Sequence, residues 1–164
     1  MQAKLLLVII MSLLVAYLLS ILPMPDWAVW LRPPWLLLFC FYWLLALPDR
    51  FSLALIWLLG LGLDALTGTY LGVNACSMLV SCYFLLRLHR HYSLYRLSQR
   101  LIVIFIALLI NILSLFILTS LLYHTYLNGL IWFIIPISVV LWMFIVKILN
   151  RFSKNFVIYV QVVK

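Results

Sequence analysis

Residues 51–86 read FSLALIWLLGLGLDALTGTYLGVNACSMLVSCYFLL, and a single charged side chain, Asp64, stands in the whole stretch. Two apolar runs, about 51 to 66 and 71 to 88, are parted by Thr67, Gly68 and Thr69, a short turn-forming group. A charge inside such a run costs about 2.5–3.5 kcal/mol on membrane-insertion scales, so Asp64 is the residue to explain. Hydrophobic residues make up 69% of the 164, and the acids are Asp26, Asp49 and Asp64, with no glutamate. Water cannot solvate a surface of that composition, and the bilayer must be the solvent for most of the chain. At roughly 20 residues per span, no room remains for a soluble domain, and residues 1–164 read as one integral membrane domain.

Outward from this stretch, breaks at charge and proline clusters divide the chain into apolar segments at about 5–22, 33–47, 51–66, 71–88, 101–123 and 130–149. The pattern predicts an all-α, polytopic membrane helix bundle of about six transmembrane helices. The second and third segments cover only about 23 Å at the helical rise, less than the roughly 30 Å hydrocarbon core. They read as thin-membrane spans or partly re-entrant segments. Pro33 and Pro34 suit a helix start, Pro48 before Asp49 and Arg50 suits a tight turn, and Pro136 predicts a bend in the sixth segment. Lys4 followed by Leu5 to Leu22 has the look of a signal peptide, but the run ends in Ile21-Leu22-Pro23 without a small-x-small cleavage site. A retained first span is expected.

The net charge of +8 is explained by where the bases lie. Six spans place Lys4, Arg50, Arg87, Arg90, Arg96, Arg100, Lys147, Arg151, Lys154 and Lys164 on one side and Arg32 alone on the other. That asymmetry predicts cytoplasmic N and C termini and contact with anionic headgroups rather than nucleic acid. Trp27, Trp30 and Trp35, and Tyr123, Tyr126 and Trp132, cluster near the two outer loops, where aromatic rings favour the headgroup level. The tail Phe156 to Val163 is too short to span and is expected on the membrane or against a partner. Cys40, Cys76 and Cys82 lie in apolar segments without CxxC spacing and read as small packing residues. There is no HExxH, no Gly-x-Ser-x-Gly, no phosphate-binding glycine loop and no carboxylate pair in one segment. Neither a catalytic site, a cofactor nor a metal is expected.

Gly60, Asp64 and Gly68 are spaced four apart, a small-polar-small stripe that lets a neighbouring helix approach and hydrogen-bond the carboxylate. Arg32, the one outward base, is a candidate ion-pair partner. Three readings of Asp64 stand: a cap or packing group at the end of its own helix, a contact in an assembly, or a proton or substrate site. Asn111, with Ser114 three residues on, is expected to bond a neighbouring helix, and His124 and Asn128 read as solvated. The stretch Arg87 to Arg100 interleaves Arg87, Arg90, Arg96 and Arg100 with Leu88, Tyr92, Leu94, Tyr95 and Leu97. It predicts a short interfacial helix on lipid phosphates, or a docking segment for a cytoplasmic partner.

Leu22-Pro-Met-Pro25, Leu31-Arg-Pro-Pro-Trp35, Tyr42-Trp-Leu-Leu-Ala-Leu-Pro-Asp-Arg50, Gly60-Leu-Gly-Leu-Asp64 and Gly68-Thr-Tyr-Leu-Gly-Val-Asn-Ala75 together resemble the rod shape-determining MreD family of Gram-negative bacteria. The resemblance covers about a third of the chain by motif, and length and topology agree over the rest. It implies a non-enzymatic inner-membrane subunit of the cell-elongation machinery, associated with MreC. Through MreC it implies links to the MreB filament, RodA and the elongation transpeptidase that build lateral-wall peptidoglycan. The motif residues carry over as Pro25, Arg32, Pro33, Trp35, Tyr42, Trp43, Pro48, Arg50, Gly60, Asp64, Gly68, Leu71 and Gly72. Where some relatives have an acid in the fifth span this chain has Asn111, which weakens a proton relay there. Arg32, Trp35, Asp64, Gly68 and Gly72 form an expected outer cluster that stabilises the fold or meets MreC.

A small-molecule-binding subunit of a transporter is the competing class, since the family's fold is thought similar to the substrate-binding subunits of energy-coupling-factor transporters. Such a subunit needs a midplane pocket with converging polar groups, and Asp64, Asn74, Ser77 and Asn111 are the candidates here. A lipid-modifying enzyme has only His89 and His91 to support it.

Overall fold

WLLLFCFYWLLA, residues Trp35–Ala46, is apolar on every side, and a helix with no polar stripe has no reason to turn a face to water. The computed structural model describes residues 2–23, 32–48, 51–92, 95–123 and 134–153. Six helices occur among them: α1 (Gln2–Ile21), α2 (Trp35–Ala46), α3 (Leu53–Thr67), α4 (Val73–Tyr92), α5 (Leu97–Tyr123) and α6 (Ile134–Ser153). No strand occurs among the described residues. The segment bounds read from the sequence match the helices to within a few residues, because charges and prolines end apolar helices wherever they fall.

The short second segment is the centre of the bundle. Every residue of α2 from Leu36 to Leu45 is buried, with α1, α4 and α6 packed around it. At about 18 Å long, α2 is too short to cross a bilayer unaided, and apolar runs of this length are more often buried core helices. Its neighbours supply the remaining layers: α3 packs on α4, α4 on α5, α5 on α6, and α1 touches α3. By length and composition, Ser98–Leu122 is able to cross a membrane, and the other five helices are shorter but apolar. Leu58, Leu121 and Phe144 lie on outward faces, each more than half exposed, as lipid contact requires. Leu7 and Val8 early in α1 share a groove with Ile148 and Leu149 late in α6, so the described chain begins and ends at one end of the bundle.

Local chemistry explains the helix starts. Pro34 stands at the N-cap of α2, and the Trp35 N–H donates to the Pro33 carbonyl at 2.9 Å. Ser52 caps α3, accepting from the Leu55 N–H at 3.3 Å. Around Pro48, the Phe51 N–H donates to the Leu47 carbonyl at 2.9 Å, closing the turn between α2 and α3. Pro136, expected to bend the sixth segment, is third in the described α6, and the residues just before Ile134 lie outside the described ones. One expectation is corrected. The basic stretch 87–100 is no separate interfacial helix, because α4 continues to Tyr92 and α5 begins at Leu97.

Lipid is as apolar as the bundle interior, so helices are held by close contact and by polar bonds rather than by a hydrophobic drive. The indole N–H of Trp43 donates to Ser12 Oγ at 2.8 Å across α1 and α2, and the Ser12 hydroxyl in turn donates to the Ile9 carbonyl at 2.8 Å. Tyr17 donates its hydroxyl to the Leu59 carbonyl, tying α1 to α3. Phe41 meets Trp142 of α6 edge to face, centroids 6.4 Å apart. Cys40 and Cys82 are buried as expected of packing residues, whereas Cys76 is exposed.

The tightest approach is between α3 and α4. A Cβ built on Gly60 would lie 2.4 Å from Ala75 Cα, whereas one on Gly62 would meet the Tyr17 hydroxyl at 2.8 Å. Backbone cannot yield as a side-chain tip can. Gly60→Ala is therefore expected to destabilise the protein by about 1–3 kcal/mol, and by more than Gly62→Ala, in thermal unfolding in mild detergent. Equal melting temperatures for Gly60→Ala and the parent would refute this close contact.

Candidate functional site

The α3–α4 connection is built around one side chain. α3 ends in Leu63-Asp64-Ala65-Leu66-Thr67, and Gly68 follows at φ +69°, a left-handed conformation that glycine adopts without the usual Cβ clash. Gly72, at φ +104°, turns the chain again before Val73 opens α4. These two reversals aim the first N–H groups of α4 back at Asp64.

Asp64 is 0% exposed. Its Oδ1 accepts from Thr69 Oγ1 at 2.8 Å, from Asn74 Nδ2 at 2.8 Å and from the Asn74 N–H at 3.0 Å. Its Oδ2 accepts from the N–H of Gly72 at 2.9 Å and of Ala75 at 3.3 Å. The start of α4 is thereby fully satisfied: Val73 N–H reaches the Tyr70 carbonyl at 3.2 Å and Cys76 N–H reaches Gly72 at 2.8 Å. Helix N-termini carry partial positive charge as well as orphan donors. The carboxylate answers both, and the donors replace its lost hydration. The Asp64 main chain is used too, its carbonyl accepting from the N–H of Gly68 and of Thr69, the latter at 3.2 Å. One residue thus closes α3 and opens α4.

The expected pairing of Asp64 with Arg32 is not formed. Arg32 donates through Nη2 to the Leu22 carbonyl at the end of α1, while the Asp64 carboxylate takes its partners, among the described residues, from residues 69–75. Two capable donor sets lie near different ends of chain segments, and the backbone set is the one in contact. The Gly60, Asp64, Gly68 stripe is likewise divided. Gly60 and Asp64 are buried and Gly60 faces α4, but nothing lies within 4 Å of a Cβ at Gly68, whose role is the turn. Thr69, Asn74 and the main chain of Gly72 and Ala75 complete the cluster; of these the sequence flags the turn-forming Thr69, the glycine and, as a pocket candidate, Asn74, but not the main-chain donors.

Other predicted residues fall elsewhere. Pro33, Tyr42 and Trp43 are buried and Trp35 and Pro48 half-buried at α2 and its ends, with the Tyr42 and Trp43 rings edge to face at 5.2 Å. Pro25 and Arg50 lie outside the described residues, as do the side chain of Arg90, both loop residues His124 and Asn128, and the tail 156–163. Arg87 is exposed and its guanidinium stacks on Tyr83, 5.2 Å from the ring centroid, and Arg96 is exposed. Arg100 departs from the expected surface contact: it is 4% exposed and donates through Nε to the Tyr95 carbonyl at 2.9 Å. Its position one turn into α5 points it back over the α4–α5 connection. Asn111 is buried, and its amide nitrogen has no partner among the described residues. Ser114 bonds the Asn111 main-chain carbonyl at 2.8 Å rather than a neighbouring helix.

Three of the four polar groups named for a transporter pocket bond one another. Asp64 and Asn74 bond each other, and Ser77 donates to the Asn74 carbonyl at 2.9 Å. The cavity between α1 and α6 is lined by other residues altogether. No cluster of His, Cys, Asp or Glu able to hold a metal occurs among the described residues.

A model of the family described as rod shape-determining protein MreD matches residues 1–152. The rod shape-determining protein MreD of Haemophilus influenzae is 34% identical over 102 residues, which cover 60% of this chain and 62% of that relative. The match thus spans somewhat under two thirds of the relative's length. No solved structure matches the chain.

Asp64→Ala is expected to lower stability by at least about 3 kcal/mol, since three buried backbone N–H groups are orphaned at roughly 1–3 kcal/mol each. Asn74→Ala removes a single side-chain donor and should cost less. Thermal unfolding in mild detergent reads both; an unchanged melting temperature for Asp64→Ala would show that the cap contributes nothing.

Proposed function

We propose a function from one premise: the chain belongs to the rod shape-determining MreD family. Its role lies in determining rod cell shape. On our reading it is a multi-pass subunit of the bacterial inner membrane with both termini cytoplasmic. It acts without catalysis, by binding MreC and so supporting the MreB-, RodA- and transpeptidase-dependent synthesis of lateral-wall peptidoglycan.

The observation that carries this reading is how Asp64 is used. It is the one acid among the described residues, and all of its bonds hold the α3–α4 turn in place. A proton or substrate role would need a carboxylate free to change partners. What the braced turn offers instead is a surface. Leu66 is 57% exposed, Tyr70 55% and Leu71 72%, and by the charge asymmetry this end of the bundle faces outward. A rigid, apolar, outward turn suits docking of a membrane-proximal partner segment, because little side-chain or loop entropy is lost on binding. The assignment joins the motif residues Asp64, Gly68, Leu71 and Gly72 in a single device: three residues shape the turn and Leu71 is displayed. Arg32 and Trp35 then serve the start of α2. On the cytoplasmic side, Arg87 and Arg96 remain as contacts for anionic lipid headgroups.

The transporter reading has no comparable support, because three of the polar residues it requires, Asp64, Asn74 and Ser77, are spent on one another. Similarity to energy-coupling-factor subunits stays an expectation drawn from the family.

Leu71→Asp should leave the amount of protein in the membrane near normal, yet lower co-purification of MreC by at least about tenfold, the scale of a lost interface anchor. Cells relying on that variant should round up. Affinity purification from native membranes, with microscopy of cell shape, checks both. Rod-shaped cells with undiminished MreC recovery would remove Leu71 from the interface, and recovery of an ATPase-driven transport module would overturn the scaffold reading itself.

A further inference from the structure

We propose that the groove between α1 and α6 holds an acyl chain of one anionic phospholipid, with its phosphate on Lys147 and Arg151. The inference rests on the membrane-spanning reading given above. Leu7, Val8 and Val15 of α1 form one wall, Ile148 and Leu149 of α6 the other, and Phe39 of α2 the floor, around a cavity of about 310 Å³. Ser12 also borders it, but its hydroxyl already donates to Ile9 and accepts from Trp43. The groove therefore asks nothing of a ligand except hydrocarbon. Its volume is at the low end of the roughly 300–1,000 Å³ typical of small-molecule clefts. A partner helix, about 10–12 Å wide with its side chains, is too broad to enter it.

Charge at the mouth selects the headgroup. Lys147 and Arg151 are four residues apart on α6, hence on the same side of the helix, and both are exposed. Arg151 lies about 4.5 Å along the axis beyond Ile148, toward the described end of α6. Among the described residues no carboxylate competes for these cations, because Asp64, the one acid there, is engaged at the α3–α4 turn. A phosphodiester with no balancing ammonium completes the pair, which favours phosphatidylglycerol over zwitterionic phosphatidylethanolamine. The tally of bases puts this end of the bundle in the cytoplasmic leaflet, where anionic headgroups meet juxtamembrane bases.

Native mass spectrometry of the full chain in mild detergent tests the site, with phosphatidylglycerol and phosphatidylethanolamine of identical acyl chains added in turn. Phosphatidylglycerol should be retained preferentially. The double variant Lys147→Gln/Arg151→Gln should weaken it by roughly fivefold for each charge removed, leaving phosphatidylethanolamine unchanged. Val8→Trp, which fills the groove, should lower retention of both lipids, and Val15→Phe repeats that test if Val8→Trp does not fold. Equal retention of the two lipids, or retention unaffected by both fillers, overturns the proposal. So does a photo-crosslinker at Leu7 that captures a protein helix in native membranes. Membrane-impermeant thiol labelling of Arg151→Cys in intact cells would instead refute the cytoplasmic orientation, an outcome separable from lipid selectivity in detergent.

Discussion

A buried carboxylate facing the first turn of a helix is the constraint on which the rest of this molecule depends. Each half of that contact would be untenable alone. An ionised aspartate inside an apolar segment lacks water, and the opening N–H groups of α4 lack acceptors in a medium that cannot supply them. Brought together, they satisfy each other with five bonds from residues 69–75. The geometry then dictates its surroundings. α4 must start within reach of the last turn of α3, so the chain reverses through Gly68 and Gly72. The two helix axes come so close at Gly60 that no Cβ fits beside Ala75.

From that hairpin the bundle grows around α2. In a water-soluble protein the most apolar helix is central because water drives it there. In a bilayer that argument fails, since lipid accepts leucine as readily as a protein interior does. What keeps α2 inside is its length and its polar tethers. Twelve residues cannot span hydrocarbon unaided, but within a sheath of longer helices its ends need not reach the headgroups. Trp43 to Ser12 fixes it to α1, and the edge-on contact of Phe41 with Trp142 fixes it to α6. Tyr17 to Leu59 closes the ring by joining α1 to α3.

The helices were legible in the sequence because this chain has few charges and few prolines, and each one interrupts an apolar run. Pro34 and Ser52 mark starts as plainly as in any helical protein. The partner of Asp64 was not legible for a physical reason. Arg32 was the visible opposite charge, but the actual donors are chiefly main-chain N–H groups, which every residue except proline carries and no letter of the sequence announces. The neighbouring Thr69, Gly72 and Asn74 were the available signal: a polar and glycine-rich turn just after a buried acid. Arg100 was hidden in the same way, since its partner is the Tyr95 carbonyl.

On the proposed reading the protein acts through its surfaces, with Asp64, the one acid among the described residues, held in structure. Two kinds of surface lie at opposite ends. At the α3–α4 end, rigidity is the notable property: the turn is bonded so completely that Leu66, Tyr70 and Leu71 project from a fixed frame. At the end where the described α1 begins and the described α6 ends, the exposed bases Arg87, Arg96, Lys147 and Arg151 stand over apolar helix faces, a pattern complementary to lipid. On the proposed reading these ends divide the work of a scaffold, one held by the membrane and the other presenting a partner surface beyond it. Between them α2 and its sheath transmit position rather than change. The bundle is tied across its helices by Trp43–Ser12 and Tyr17–Leu59, and on the proposed reading such bracing would provide a fixed spacing between wall synthesis and the membrane.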